Sequence, residues 1–145
     1  MWMQWTKLRQ RWIYQERKCK GLNQRELGKK YEDLAAAYLK DRGMQIIYQN
    51  YRCRQGEVDL VGIHENCLVF VEVKYRKSNR QGMPEEAVGV RKQMKICRTS
   101  DYFRVSHGRY SAMQVRYDVI SVINDEITWY QNAFAYVGTH GSMNY

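Results

Sequence analysis

Residues 56–75 read GEVDLVGIHENCLVFVEVKY, and this stretch decides the fold of the chain. Two runs rich in β-branched residues, 57–63 and 68–75, lie on either side of the short polar insert 64–66. Runs of this length and composition, separated by a few polar residues, are typical of a β-hairpin. A two-residue loop and a four-residue loop give the same register, so the pairing of the two strands follows from the pattern in either case.

This register brings acidic side chains together. Asp59 is expected directly across from Glu72, and Glu57 across from Lys74. Opposed residues have Cβ atoms roughly 4.5–5.5 Å apart, and like charges in this position destabilise a sheet. A divalent cation would compensate the repulsion, because Mg²⁺ uses one or two protein carboxylates and keeps several waters that a phosphate can displace. Asp59 and Glu72 are therefore candidate ligands for Mg²⁺ or Mn²⁺, with Lys74 placed to orient water or stabilise a phosphoryl oxygen.

The same residues resemble the core of a known enzyme superfamily. Asp59, followed on the next strand by Glu72-Val73-Lys74, is similar to the D…ExK pattern of the restriction-endonuclease-like nucleases. An ExK triplet alone is weak evidence, since three-residue patterns arise often by chance, but its pairing with Asp59 across two strands is more specific. In one departure, Val58 stands where the superfamily has a proline before the aspartate.

A longer pattern narrows the resemblance to one family. The string GEVDLVG…LVFVEVKYR, a glutamate at position 32 in a preceding helix, and RYDVI at residues 116–120 resemble the YraN-type predicted endonucleases, which also lack that proline. This family is close to the archaeal Holliday-junction resolvases, and the resemblance covers about residues 27–123. It implies a restriction-endonuclease-like fold and a metal site to which Glu32 belongs and which Lys92 accompanies.

The segment before the hairpin predicts a helix at residues 24–42 and a strand at 45–52. Gly43 is the expected C-cap of that helix. Its apolar residues recur with helical spacing and form the expected buried stripe: Tyr31, Leu34, Ala35, Tyr38 and Leu39. Glu32 lies on the flank of this stripe. The pattern alone indicates a solvated surface glutamate. The resemblance implies instead that Glu32 belongs to the metal site.

The segment after the hairpin predicts a second helix, from Pro84 to about Arg104, and strands at residues 115–123 and 126–130. The second helix is expected to carry one stripe that contains Ala87, Val90, Met94, Cys97 and either Asp101 or Tyr102. Asp118 lies inside an apolar strand, and burying a carboxylate without a partner is costly. We therefore expect a structural pair with a basic neighbour such as Arg116 or with a residue on another element, ahead of a role in the site.

Basic residues are expected to surround the acidic hairpin and to contact phosphates. The candidates are Arg52, Arg54, Arg76, Lys77, Arg80 and Lys92. The segment 76–82 has the composition of a loop at the mouth of the site, although an ordinary solvated loop has the same composition. Such contacts position a nucleic acid without reading its sequence.

Composition limits the function classes. The chain has 145 residues, enough for one domain, and 24 Lys+Arg against 15 Asp+Glu give a formal charge of +9. The surplus favours a polyanionic partner, with nucleic acid ahead of an acidic membrane surface, although a merely solubilising surface has the same charge. The four cysteines form no CxxC pair, which predicts reduced thiols in a cytoplasmic protein and no zinc site.

Residues 1–22 lie outside the resemblance and interleave tryptophans with lysines and arginines. They contain no uninterrupted apolar run, so they predict neither a signal peptide nor a membrane span. Trp2, Trp5, Leu8 and Trp12 share helical spacing and indicate an amphipathic, basic helix. This stripe is expected to pack on the domain or on a second copy of the chain in a homodimer. A nucleic-acid-binding arm is the alternative.

The expected architecture is α/β: a central mixed sheet of four or five strands flanked by helices. It is expected to occupy residues 23–136, between the extension 1–22 and a flexible tail at 137–145. Two functions fit this sequence. One is a Mg²⁺- or Mn²⁺-dependent endonuclease acting on DNA, including branched or single-stranded DNA, in which the Val73 carbonyl is a third metal ligand. The other is a catalytically silent nucleic-acid-binding module in which the same charges form ion pairs.

Overall fold

The computed structural model describes residues 22–76, 88–124 and 126–138, and the chain divides into two units between Lys30 and Tyr31. The sheet, the second helix and the candidate site belong to the unit that begins at Tyr31. The predicted features outside the described residues are the N-terminal extension up to residue 21, Lys77, Arg80, Pro84, Ala87 and the tail after residue 138.

The described elements are a helix, three strands, a second helix followed by a 3₁₀ turn, and two further strands. They are α1 (Gln24–Asp41), β1 (Gln45–Cys53), β2 (Gly56–His64), β3 (Cys67–Arg76), α2 (Val90–Ser106), a 3₁₀ turn (Gly108–Tyr110), β4 (Gln114–Ile123) and β5 (Glu126–Tyr130). The strands form one sheet in the order β1-β2-β3-β4-β5. The predicted α/β architecture, with a mixed sheet and two flanking helices, is confirmed. None of the described helices is long and apolar enough to cross a membrane.

The directions of β3 and β4 require a long connection between these two strands. The β1–β2, β2–β3 and β4–β5 pairs are antiparallel, whereas β3 and β4 are parallel. Parallel neighbours need a long crossover connection, because the chain must return to the same end of the sheet. The segment between β3 and β4, which contains α2, provides this connection.

The hairpin β2–β3 has the predicted register. His64 pairs with Cys67, and the ladder continues to the pair Leu60 and Val71. The loop is the two-residue alternative, Glu65-Asn66, with φ of 49° and 61°. Positive φ at both loop positions is characteristic of a type I′ turn, whose twist matches that of the flanking strands.

The predicted end of α1 is confirmed by its backbone geometry. Gly43 has a φ of 89°, and its N–H donates to the Lys40 carbonyl at 3.1 Å. The Met44 N–H donates to the Leu39 carbonyl at 3.0 Å, which completes a Schellman motif. The stripe is buried at Tyr31, Ala35 and Leu39 and half-buried at Leu34 and Tyr38. Ala36 is buried as well.

The prediction for α2 is wrong in its start and only partly right in its buried stripe, because Cys97 is buried as expected but Val90 is not. The helix begins at Val90, with Gly89 as N-cap, and the Val90 side chain is 63% exposed. The buried residues are Ile96, Cys97, Thr99, Ser100 and Phe103. Thr99 and Ser100 donate to carbonyls of their own helix, at 2.8 and 2.6 Å. Because their hydroxyls are satisfied locally, they can face the core, and a pattern of apolar residues alone misses this face.

The core between α2 and the sheet fixes the position of the helix. Phe103 is fully buried, and its ring centroid lies 5.7 Å from that of Phe70 on β3 and 5.0 Å from that of Tyr51 on β1. Phe70 and Glu72 are two residues apart on β3, so they share the face on which α2 packs. Lys92, three helical turns before Phe103, is thereby held over the same face of the sheet.

We expect Gly62→Ala to destabilise the fold, because a Cβ at this position would lie 2.8 Å from the Met44 side chain and 2.9 Å from the Gln45 carbonyl oxygen. Overpacking of this kind costs about 1–3 kcal/mol, measured as a lower free energy of unfolding in urea. The control is Gly108→Ala, where no atom of the described residues lies within 4 Å of the new Cβ. Equal stability of the two variants would contradict this packing.

Candidate functional site

Glu72 is the central residue of the candidate site. Its side chain is only 4% exposed, and Oε1 lies 2.9 Å from Lys74 Nζ and 3.5 Å from Lys92 Nζ. Oε2 is inaccessible to solvent and has no hydrogen-bond partner among the described residues. Taking a carboxylate out of water costs several kcal/mol, and this cost is recovered only if the remaining lone pairs are also satisfied. One oxygen of Glu72 is therefore neutralised, while the other lacks a partner.

Asp59 lies where the backbone pairing of β2 and β3 ends. It is one residue beyond the last ladder pair, Leu60 and Val71. Instead of a further backbone bond, the Val73 N–H donates to Asp59 Oδ2 at 2.7 Å. On the neighbouring strand β1, Asn50 has a φ of 53°, which marks a local irregularity. This hydrogen bond fixes the side chain of Asp59 against β3. In the register of the hairpin, Asp59 is the residue across from Glu72.

The environment of Asp59 disfavours its ionised form. Burial first, and then the charges of Glu72 and Glu32, raise the pKa of Asp59 from 3.8 to about 7, although the Val73 N–H and Lys92 oppose the rise. The protonated form of this carboxyl group therefore persists well above the pH at which an exposed aspartate ionises. The carboxylates predicted for the site therefore interact with one another, which the sequence pattern implied but could not demonstrate.

Glu32 approaches from the first helix. It is half-buried, as its position on the flank of the apolar stripe predicts. Its neighbour Tyr31 stacks on Tyr75 of β3, with ring centroids 3.8 Å apart and an interplanar angle of 13°. This contact holds the Tyr31–Glu32 turn of α1 beside the end of β3 that carries Glu72 and Lys74.

The prediction that Glu57 faces Lys74 is wrong. Glu57 pairs across the β1–β2 ladder with Arg52, at 3.3 Å, and both side chains are largely exposed. Lys74 pairs instead with Glu72, its neighbour on the same face of β3. The reason is that the β2–β3 ladder ends at Leu60, so residue 57 no longer opposes β3. An exposed pair such as Arg52–Glu57 contributes little to stability.

The predicted phosphate-contacting residues occupy different environments. Lys92 lies in the site, on Glu72, so its charge already compensates a carboxylate. Arg54 is exposed and stands over the Tyr102 ring at 5.9 Å. Arg76 ends β3 and is half-buried.

Asp118 has the predicted structural role. It is fully buried and accepts two hydrogen bonds from Arg116, both at 2.9 Å. Trp129 Nε1 and the Asn132 N–H each donate to it at 2.9 Å. Four donors satisfy both oxygens, so the predicted pairing with Arg116 is confirmed and Asp118 has no oxygen left without a partner. The partners from the β5 region could not be found from sequence spacing.

The donor set of the site fits a hard cation. Within residues 22–76, 88–124 and 126–138, no group of three or more His, Cys, Asp or Glu side chains has the arrangement of a preformed metal cluster. Asp59 and Glu72 instead form a two-carboxylate set, the number that Mg²⁺ commonly takes from a protein. A divalent cation would also compensate the two unfavourable features of this site, the unpartnered oxygen of Glu72 and the raised pKa of Asp59.

Comparison with known proteins identifies similar chains. The model of the family described as "Uncharacterised protein family UPF0102" matches residues 31–122. A UPF0102 protein of Lachnoclostridium phytofermentans is 40% identical over 118 residues, which cover 81% of this chain and all of that protein. A UPF0102 protein of Syntrophus aciditrophicus is 45% identical over 95 residues, covering 66% and 74% of the two chains. The span 31–122 contains the candidate-site residues Glu32, Asp59, Glu72, Lys74 and Lys92.

The raised pKa of Asp59 predicts that this group makes stability depend on pH. Its folded pKa of about 7 exceeds the ordinary 3.8, so the stability it contributes is lost as pH rises between these values. Asp59→Asn keeps an acceptor for the Val73 N–H without the charge. At about 1.4 kcal/mol per pKa unit, the variant should exceed the parent by roughly 1–4 kcal/mol at pH 8 and match it below pH 4.

Urea unfolding in the presence of a chelator, repeated across this pH range, measures the difference. The control is Asp41→Asn, which removes an exposed carboxylate at the end of α1. A difference between Asp59→Asn and the parent that is the same at pH 4 and pH 8 would contradict the raised pKa.

Proposed function

The chain belongs to the protein family UPF0102, and we propose that it is an endonuclease that uses a divalent metal ion to hydrolyse phosphodiester bonds in DNA. The observation that carries this proposal is the state of Glu72: a buried carboxylate with one unpartnered oxygen, beside Asp59 with a pKa of about 7. Stability alone does not explain such a pair, because apolar residues would fill the same space without the free-energy cost of desolvating charges.

Each residue of the site has a chemical role in this proposal. Asp59 and Glu72 would hold Mg²⁺ or Mn²⁺, with the Val73 carbonyl oxygen and Glu32 completing the site. The metal ion, when bound, supplies positive charge to the phosphate. Lys74 places its ammonium beside Glu72, where it can donate to a water molecule or to a phosphoryl oxygen that gains negative charge.

DNA is the proposed substrate because the chain carries a formal charge of +9. Basic residues stand near the carboxylates, and lysine and arginine bind phosphates with little dependence on sequence. Branched and single-stranded DNA are the forms we propose to test first. A cytoplasmic location is part of the proposal; the described cysteines, Cys53, Cys67 and Cys97, are free thiols.

A second candidate function is a nucleic-acid-binding module without catalytic activity. The observation that favours it is that Glu72 already pairs with Lys74 and Lys92. In this case the ion pairs would serve only to hold α2 on β3, and removal of either lysine would lower stability. The two functions therefore differ in metal binding and in the effect of Lys74.

Isothermal titration calorimetry of Mn²⁺ or Mg²⁺ should detect binding to the parent protein and no binding to Glu72→Gln. The affinity should rise from pH 6 to pH 8, because the metal ion competes with the proton on Asp59. The matched control is Glu57→Gln, which removes an exposed carboxylate from the same region and should leave binding unchanged. Failure of the parent to bind either ion at pH 8 would favour the binding module.

Lys74→Ala should lower the rate of metal-dependent DNA cleavage by at least about 100-fold, the effect of removing one donor to developing charge. DNA affinity should change little, because Lys74 is one of 24 basic residues. The assay uses branched, flapped, single-stranded and duplex DNA with Mg²⁺ and with Mn²⁺. Its control, Lys40→Ala, removes an exposed lysine from the last turn of α1. Cleavage that persists unchanged in Lys74→Ala would refute the proposed role.

A further inference from the structure

A cleft of about 550 Å³ opens at the far end of α2 from the carboxylates. It lies between the C-terminal half of α2, the start of β4 and the segment that follows β5. Its principal walls are Asp101, Arg104, Tyr117, Asn132, Phe134 and Tyr136. This volume lies within the range of small-molecule sites, which are commonly 300–1,000 Å³. Helix rise places Asp101 about 14 Å from Lys92, so the cleft is separate from the candidate metal site.

One wall of the cleft is an exposed aromatic ring that is held in place. Tyr136 is 56% exposed, and its hydroxyl donates to Asp101 Oδ2 at 2.7 Å. The backbone at Gly138 lies so close to this ring that a Cβ there would be 2.7 Å from a ring carbon. Because this ring is mostly exposed, it contributes little to the packing of the core. The two contacts that fix its orientation therefore favour a role in binding.

The other aromatic wall continues into the core. Phe134 stacks on Tyr117, with centroids 5.2 Å apart and an interplanar angle of 10°. The Tyr117 hydroxyl is 2.7 Å from the Ser100 hydroxyl inside the molecule. Phe134 therefore rests on a rigid base and is itself half-buried.

Hydrogen-bond donors and acceptors also line the cleft. Arg104 donates through Nη2 to the Ser111 carbonyl at 2.6 Å, and its Nε is buried with no partner among the described residues. Asp101 offers carboxylate oxygen, and the side-chain amide of Asn132 can donate and accept. The lining thus combines aromatic faces with donors and acceptors.

We propose that this cleft binds a nucleobase, supplied either by a free nucleotide or by an unpaired nucleic-acid strand. Aromatic side chains bind bases through their π-faces, largely without regard to sequence. The donors and acceptors suit a base edge, which presents both kinds of group, and Arg104 adds a charge that suits the attached phosphate. The proposal does not rest on the nuclease function, because binding here needs neither the metal ion nor Lys74.

Calorimetric titration tests this with the four nucleoside monophosphates and a short oligothymidylate, all in the presence of a chelator. Tyr136→Ala should weaken binding roughly 5- to 100-fold, the range for removing one stacking ring. Tyr136→Phe retains the ring but loses the bond to Asp101, so its loss should be smaller. Both variants should keep the parent circular dichroism spectrum, because this side chain is mostly exposed.

The matched control is Tyr102→Ala, which removes another exposed tyrosine, from α2, outside the cleft. Its affinity for the monophosphates should equal the parent's, and so should that of Glu57→Gln, which lies outside both the cleft and the proposed metal site. Because a chelator is present, this binding is separate from the nuclease function. Tighter binding of the oligonucleotide than of any monophosphate identifies an unpaired strand as the source, and equal binding identifies a free nucleotide. Absence of saturable binding by every probe, or equal losses in Tyr136→Ala and Tyr102→Ala, would overturn the proposal.

Discussion

The ion pair between Glu72 and Lys74, 2.9 Å apart on one face of β3, is the interaction on which the candidate site depends. A carboxylate that is 4% exposed needs a compensating charge, because its desolvation costs several kcal/mol. Lys74 supplies one charge from the same strand, and Lys92 supplies a second from α2. The contact with Lys92 therefore links the sheet to the helix as well as neutralising Glu72.

The compensation is incomplete, and this incompleteness has chemical consequences. Both ammonium groups approach Oε1 of Glu72, while Oε2 lacks a partner among the described residues. The neighbouring Asp59 has a pKa of about 7 because burial and nearby carboxylates disfavour its charge. The proposed metal site rests on these two features, the unpartnered oxygen of Glu72 and the raised pKa of Asp59.

Two features of the sheet place these residues: the end of the β2–β3 ladder and the crossover between β3 and β4. The β2–β3 ladder stops at Leu60 and Val71, and the side chain of Asp59 replaces the next backbone bond. Because β3 and β4 are parallel, the connection that contains α2 must cross the sheet. Lys92 lies near the start of this helix, and the aromatic cleft lies near its end. Because the β2–β3 ladder ends before Asp59, the Val73 N–H donates to the Asp59 side chain.

The sequence by itself determined the local structure: the hairpin register, the end of α1 at Gly43 and the pairing of Asp118 with Arg116. These features depend on side-chain periodicity and on residues close in the chain. Only the tertiary structure decided which face of α2 is buried, that Glu57 pairs with Arg52, and that Lys92 lies on Glu72. Lys92 reaches Glu72 because the crossover places α2 over β3, and Glu57 pairs with Arg52 on β1 because the β2–β3 ladder ends before residue 57. Alternation of apolar and polar residues encodes neither feature, since it specifies a face of each element but not which element covers it.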